Sequence, residues 1–187
     1  IVRQFVGWQK LSATVAMWAE IPTLLYPPRL SLEQCSSQTA AEHKARLVEE
    51  IVNNHKTSET PFTTMTDLTG GLGVDFSFIA PLFLEATYVE QREELVQLAR
   101  HNFPLLGLSH ANCLCGDGVT NLSTMKSVDL VYLDPARRDE NGRKTVRIED
   151  CTPNVLELLP QLREKAQCLL VKLSPMLDVH QAITALG

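Results

Sequence analysis

The chain has 187 residues, 44% of them hydrophobic and 21% charged, proportions that suit one compact domain and leave too little for two full ones. Seventeen Lys and Arg against twenty-two Asp and Glu give a formal charge of −5, so the surface as a whole repels a phosphate backbone, and nucleic-acid contact has to be local or supplied by another module. No stretch reaches the roughly eighteen uncharged apolar residues of a membrane span, and the N-terminus lacks the basic, apolar, small-residue order of a signal peptide; a cytoplasmic protein is expected.

The five cysteines, Cys35, Cys113, Cys115, Cys151 and Cys168, form no C-x-x-C pair and read as small buried hydrophobes in a reducing compartment. The histidines His43, His55, His101, His110 and His180 have no ligand spacing and read as surface or structural, so no metal site is expected.

Residues 1–60 carry helical periodicity and proline punctuation at Tyr26-Pro27-Pro28, without a convincing strand. Trp8 and Trp18 lie among apolar residues and are expected in the core. Thr39 followed by Glu42 has the form of a capping box, and Lys44, Leu47, Val48, Ile51 and Val52 then recur at helical spacing. This predicts an amphipathic helix ending near Asn53 and Asn54, with the Lys44 stem on its apolar stripe. Capping that helix accounts for Ser36, Ser37 and Thr39, although a lid over a ligand site would also use them.

Beyond Pro61 short apolar runs alternate with helical stretches, the pattern of a parallel α/β sheet. The expected strands are Thr64 to Leu68, Glu85 to Val89, Ala111 to Leu114, Val128 to Leu133 and Cys168 to Leu173. After the first strand comes Thr69-Gly70-Gly71-Leu72-Gly73-Val74-Asp75, a glycine-rich turn into a helix. Such a turn lets backbone N–H groups approach a nucleotide-like ligand, because glycine has no Cβ and accepts positive φ. Glu90 closes the second strand, where an acid can accept both ribose hydroxyls of an adenosine. A helix over Gln91 to Phe103 follows, with Leu95, Leu98, Ala99 and Asn102 on one face and Pro104 as its stop. Asp117, within Cys115-Gly116-Asp117-Gly118, closes the third strand, and Asp134-Pro135 closes the fourth. These acids and turns share the carboxyl edge, where open α/β sheets bind ligands. Thr152-Pro153 reads as an N-cap with proline in the first helical position, opening a helix from Asn154 to about Lys165 with a kink or break at Pro160. Asp178 caps a last helix built on Val179, Ala182, Ile183 and Leu186. A helix after a fifth strand leaves a sheet edge uncovered, which suggests a fragment of a longer protein.

Over residues 61–187 these motifs together resemble the class I S-adenosylmethionine-dependent methyltransferases. The resemblance implies a Rossmann-like domain over 61–187, incomplete by its last two strands, behind a helical N-terminal segment over 1–60. It implies S-adenosyl-L-methionine as cofactor, with Asp67, Thr69, Gly70, Gly71 and Gly73 around its methionine part, Glu90 on the ribose, and Asp117 and Gly118 at the adenine. Asp134, Pro135 and Arg137 fall on the catalytic motif. A narrower resemblance, to bacterial RNA methyltransferases with a C-terminal THUMP-like domain, rests on Glu33-Gln34-Cys35-Ser36-Ser37, Asp67 to Gly73, Tyr132 to Arg138 and Val171-Lys172-Leu173-Ser174-Pro175. It implies an RNA substrate held through a domain missing from this chain.

Relatives with Asp-Pro-Pro-Tyr motifs hold an exocyclic amine on the acid and a backbone carbonyl while the aromatic stacks the base. Here Ala136 and Arg137 replace the second proline and the aromatic, which puts an adenine or cytosine amine in question and leaves Asp134 as the substrate contact. No cysteine adjoins the motif to support covalent attack on a ring carbon. Arg137 to Lys144 reads either as a grip on phosphates or as a solvated loop, and Lys172 and Ser174 reach the same edge. Two other classes fit parts of the pattern. A nicotinamide-dependent oxidoreductase also uses a glycine turn and an acid, but Gly70-Gly71-Leu72-Gly73 is not G-x-G-x-x-G and Asp117 and Asp134 would go unexplained. A catalytically silent cofactor-binding module is compatible with the altered Asp-Pro-Ala-Arg motif.

Overall fold

Alternate residues of a strand face opposite sides, and both faces of this sheet are apolar, so it folds as a layer covered on both sides. The computed structural model describes residues 2–27, 35–55, 61–136, 148–174 and 179–187. In it, β1 (Thr64–Asp67), β2 (Glu85–Glu90), β3 (Ala111–Cys115), β4 (Val128–Leu133) and β5 (Ala166–Val171) form one parallel sheet in the order β3-β2-β1-β4-β5. This is the expected α/β, Rossmann-like arrangement. Met65, Tyr88, Leu130 and Tyr132 point to one face, where they pack with Val48, Val52, Phe76, Val96 and Phe103. Leu68, Val89, Val131 and Leu133 belong to the opposite face, with Leu122, Val155 and Leu162.

Among the described residues the α-helices, in chain order, are α1 (Val2–Ser12), α2 (Ala16–Ala19), α3 (Gln38–His55), α4 (Val74–Ile79), α5 (Glu93–Leu105), α6 (Gly118–Thr124), α7 (Val155–Lys165) and α8 (Val179–Leu186). Leu11, Val15, Trp18, Leu24 and Tyr26 form a third apolar cluster that closes on Ala41 of α3 and Val74 of α4. Polar clips fasten it. Asn102 of α5 is buried on the expected face, yet its amide accepts from the Leu25 N–H (2.9 Å) and donates to the Leu25 carbonyl (2.8 Å). Trp18 Nε1 donates to Ser77 Oγ (3.3 Å).

Several local expectations shift by a residue or two. Ser37, not Thr39, receives the first-turn N–H of α3, from Ala40 at 3.3 Å, so the helix begins earlier. Pro104 lies inside the last turn of α5, and the stop is Gly107. Its φ of +81° lets the Leu108 N–H return to the Phe103 carbonyl (2.8 Å), a Schellman closure. The cap of α7 is Asn154, whose Oδ1 accepts from the Leu156 N–H (3.1 Å), and Pro160 sits within an unbroken helix. Strand β5 starts two residues before Cys168 because α7 runs into it without a loop. Trp8 is 40% exposed, while Trp18 is buried as expected. Of the cysteines only Cys151 is fully buried and Cys115 is exposed. Ile183 faces outward. Asp178, Arg137 and the basic run from Arg137 to Lys144 lie outside the described residues.

At the amino edge of the sheet the buried Asp129 carboxylate accepts from the Thr63 N–H (2.7 Å), the Thr64 N–H (2.8 Å) and Thr64 Oγ1 (2.8 Å) through one oxygen, and from Gln167 Nε2 (2.8 Å) through the other. One side chain thus ties β1, β4 and β5 at the edge opposite the glycine turn. Asp129→Ala orphans two backbone donors, so it is expected to lower unfolding stability by on the order of 3 kcal/mol in a denaturant titration. A loss below about 1 kcal/mol would show that solvent replaces the clamp.

Candidate functional site

Because the chain winds from β1 outward to β3 and then returns to β4 on the other side of β1, the segments leaving β1 and β4 diverge. That divergence is the topological switch point where such sheets open a crevice. Here it is an open cleft of about 340 Å³ lined by Cys35, Ser36, Asp67, Thr69, the glycine turn, Asp75, Tyr132 and Asp134.

The turn is shaped by its neighbours. Gly73 caps α4 with φ +82° and Gly71 adopts φ +57°, left-handed values that side chains disfavour. A Cβ on Gly70 would lie 2.3 Å from the Tyr88 ring, so the backbone is pressed onto β2. The Tyr88 hydroxyl donates to the Gly71 carbonyl, and Glu90 Oε2 accepts from the Gly71 N–H (2.8 Å). Glu90 Oε1 accepts from Arg92 N and Nε, both at 2.9 Å. Oε2 therefore keeps a lone pair for one more donor, and a second would have to displace the half-exposed Arg92 side chain.

Asp67 ends β1, is 1% exposed, and accepts from the Thr69 N–H (2.9 Å) and hydroxyl (3.3 Å) through Oδ1. Burial pushes its carboxyl up to about 8, against the opposing Thr69 donors and with help from the negative Asp75 and Asp134. Thr69 Oγ1 in turn accepts from the Asp134 N–H (2.7 Å), so one hydroxyl spans the crevice from β1 to β4. Pro135 is buried behind Asp134, and Ala136 pairs in antiparallel fashion with Thr152, anchoring the motif's exit.

Asp117 stands at the end of β3, beside Glu90 through the Gly116 N–H to Glu90 carbonyl bond (3.0 Å). Its Oδ2 caps α6 by accepting from Thr120 N (2.8 Å) and Oγ1 (3.0 Å), and Oδ1 accepts from Gln91 Nε2 (2.7 Å). The Thr120 backbone N–H is the main reason its carboxyl sits below the usual range. Gly118 is buried with its Cα against the Leu68 backbone; a Cβ there would lie 2.1 Å from the Leu68 carbonyl oxygen.

Asp75, Tyr132 and Cys35 also line the crevice, which no local pattern in the sequence indicates, and Lys44 and Ser36 do more there than cover an apolar stripe or cap a helix. Asp75 is 8% exposed in the first turn of α4. Its carboxylate accepts from Ser36 Oγ (2.8 Å) and Tyr132 OH (2.7 Å) and pairs with Lys44 Nζ (3.0 Å). Burial, then the nearby Asp75, pushes the Tyr132 phenol far above its usual range. One signal was present in the sequence: a lysine within the apolar stripe of α3 needs a buried counter-charge.

With this geometry in place, likeness to known proteins is informative. No protein-family model matches the chain. A crystal structure from Porphyromonas gingivalis W83, described as a methyltransferase, superposes with a TM-score of 0.82 at 34% identity, covering 97% of this chain and 42% of that one. An uncharacterized S-adenosylmethionine-dependent methyltransferase of Mycobacterium tuberculosis is 28% identical over 152 residues, 81% of this chain and 37% of that protein. A structure from Pyrococcus horikoshii described as an RNA methyltransferase shares the fold, with a TM-score of 0.55 at 19% identity over 92% of this chain and 76% of that one. In fold and sequence the chain is thus similar to S-adenosylmethionine-dependent methyltransferases. It spans less than half the length of the Porphyromonas and Mycobacterium relatives.

The Asp67 shift has a direct consequence for stability. Its folded pKa of about 8 lies above its unfolded value, so the native state holds a proton the unfolded chain has lost, and stability falls as pH rises from about 4 to about 8. In the ligand-free protein Asp67→Asn is expected to flatten that decline in thermal or denaturant unfolding measured across the window. A decline of equal slope in the variant would place the responsible group elsewhere.

Proposed function

We propose that this chain forms the cofactor-binding and catalytic core of an S-adenosylmethionine-dependent methyltransferase that acts on RNA. The observation that carries the reading is the hydroxyl bridge of Thr69 between Asp67 and Asp134, which sets the glycine turn and the Asp-Pro motif on opposite walls of one crevice. The residues present fit the cofactor. A glycine turn with left-handed backbone admits close approach, Glu90 has an acceptor position left for a ribose hydroxyl, and Asp67 is a buried acid that a neighbouring positive charge would stabilise in its ionised form. Asp117 keeps one lone pair on Oδ1 toward an amino group, while Gly118 acts by bringing α6 close to β1.

S-adenosylmethionine supplies a methyl group already activated on a sulfonium. The protein's share is therefore alignment: Asp67, Thr69 and the glycines hold one reactant, and Asp134 holds the acceptor in line with it. Pro135 and the Ala136–Thr152 pairing anchor the backbone that follows Asp134. A module outside this chain carries RNA affinity in this reading, since the chain's own charge of −5 opposes a phosphate backbone. Arg137 contributes a local phosphate contact. No helix among the described residues is long and apolar enough to cross a membrane.

The full-length protein is expected to gain thermal stability from S-adenosylhomocysteine and none from NAD, by mass action on the native state; the reverse pattern would favour an oxidoreductase. Glu90→Ala is expected to weaken cofactor binding by about 1.5–3 kcal/mol in calorimetry, the range for hydrogen bonds to a charged group, and an unchanged dissociation constant would remove Glu90 from the site. Asp134→Ala should lose most methyl transfer from radiolabelled cofactor to cellular RNA while binding the cofactor as before.

A further inference from the structure

Lys172 follows β5, and its N–H bonds to the Leu133 carbonyl (2.8 Å), which sets it beside the residue that ends β4. Its ammonium lies 2.6 Å from Asp134 Oδ2, 3.0 Å from Ser36 Oγ and 3.9 Å from Asp75 Oδ2. Asp75 already has a closer cation in Lys44, at 3.0 Å, so the charge of Lys172 serves chiefly Asp134. Ser36 completes the arrangement: its hydroxyl donates to Asp75 and accepts from both lysines, Lys44 at 3.4 Å and Lys172 at 3.0 Å. The charged and titratable groups facing Asp134 are thus Lys172 beyond β5, Asp75 in α4, Lys44 in α3, and Asp67 and Tyr132 of β1 and β4, whose own protons the Asp134 charge helps to hold, with the Thr69 hydroxyl fixing its backbone. Burial pushes the Asp134 carboxyl up and Asp75 adds to this, while Lys172 is the first of the groups opposing it.

We propose that Lys172 is a positioning residue for methyl transfer, holding Asp134 through Oδ2 as an ionised acceptor so that Oδ1 takes the hydrogen of an acceptor nitrogen. This rests on the methyltransferase reading of the crevice and narrows its substrate class to acceptors that bear a hydrogen, such as a base nitrogen. The balance is simple. The acceptor's lone pair forms the nitrogen–carbon bond, the methyl–sulfur bond breaks with its electron pair retained on sulfur, and the proton of the nitrogen passes to Asp134 and on to solvent. A protonated Asp134 could not act as the base that takes that proton. The second wall of the arrangement comes from residues 35–55, so the segment before β1 takes part in setting the charge of the acid that follows β4.

The test compares the full-length wild type with Lys172→Met, Lys172→Arg and Asp134→Asn. Methyl transfer from radiolabelled S-adenosylmethionine to total cellular RNA is followed against pH, and the aspartate carboxyl carbons are titrated by ¹³C NMR, with Asp134 assigned by its loss in Asp134→Asn. In Lys172→Met the acid limb of kcat and the Asp134 titration are both expected to move up by about one to three pH units, the effect of removing an adjacent opposite charge. The KM for S-adenosylmethionine should stay unchanged, and Lys172→Arg should return the limb toward the wild type. Loss of activity with an unmoved acid limb, or an Asp134 titration equal in wild type and Lys172→Met, overturns the proposal. If the wild type methylates no RNA, the RNA reading fails, and the carboxyl titration by itself decides the role of Lys172. If Lys172→Met does not fold, Lys172→Gln carries the same measurements.

Discussion

Three acidic side chains, Asp67, Asp75 and Asp134, face one crevice, and burying the first two while half-burying the third is the constraint that organises the rest of the site. An isolated charge in such a place is costly unless it is paired, bonded or neutralised. Each acid is met differently. Asp67 is held by the Thr69 donors and by its raised pKa, Asp75 by Lys44, Ser36 and Tyr132, and Asp134 by Lys172. The partners come from α3, the segment before it, β4 and the end of β5. Elements far apart in the chain therefore converge on one sheet edge for electrostatic reasons as well as for apolar packing.

The glycine turn and the Asp-Pro motif are coupled by this arrangement. Asp67 and Asp134 are separated by the switch point, and the Thr69 hydroxyl bonds to the side chain of one and the backbone of the other. A single small polar residue inside a glycine-rich turn thereby ties the two walls of the cleft together. Tyr88 acts on the other flank. Its ring excludes any side chain at Gly70, its hydroxyl holds the Gly71 carbonyl, and it packs edge-on to Phe76 and Phe103. Glycine turn and core are continuous at that residue.

The helical segment before β1 has two roles. Its apolar cluster closes on Val74, and Asn102 and Ser77 bind it through hydrogen bonds, so it packs as part of the same body that holds the sheet. It also brings Cys35 and Ser36 to the crevice and Lys44 to Asp75. An isolated sheet with its glycine turn would leave Asp75 without its closer cation and the cleft without one wall.

The sequence by itself determined the parallel α/β architecture, the five strands to within a few residues, and the placement of Asp67, Glu90, Asp117 and Asp134 at one edge, because strand alternation, glycine turns and acids at strand ends are local patterns. Helix ends were less legible where two local signals competed. Ser37 outdid Thr39 as a cap, and Gly107 rather than Pro104 closed α5. Only the tertiary structure decided what the polar residues inside apolar stretches do. Lys44 pairs with Asp75, Asn102 clips Leu25, Asp129 clamps β1 to β4 and β5, and Lys172 meets Asp134, each across dozens of residues. Periodicity reports which face a side chain is on; the partner it finds there depends on which distant strand or helix lies alongside.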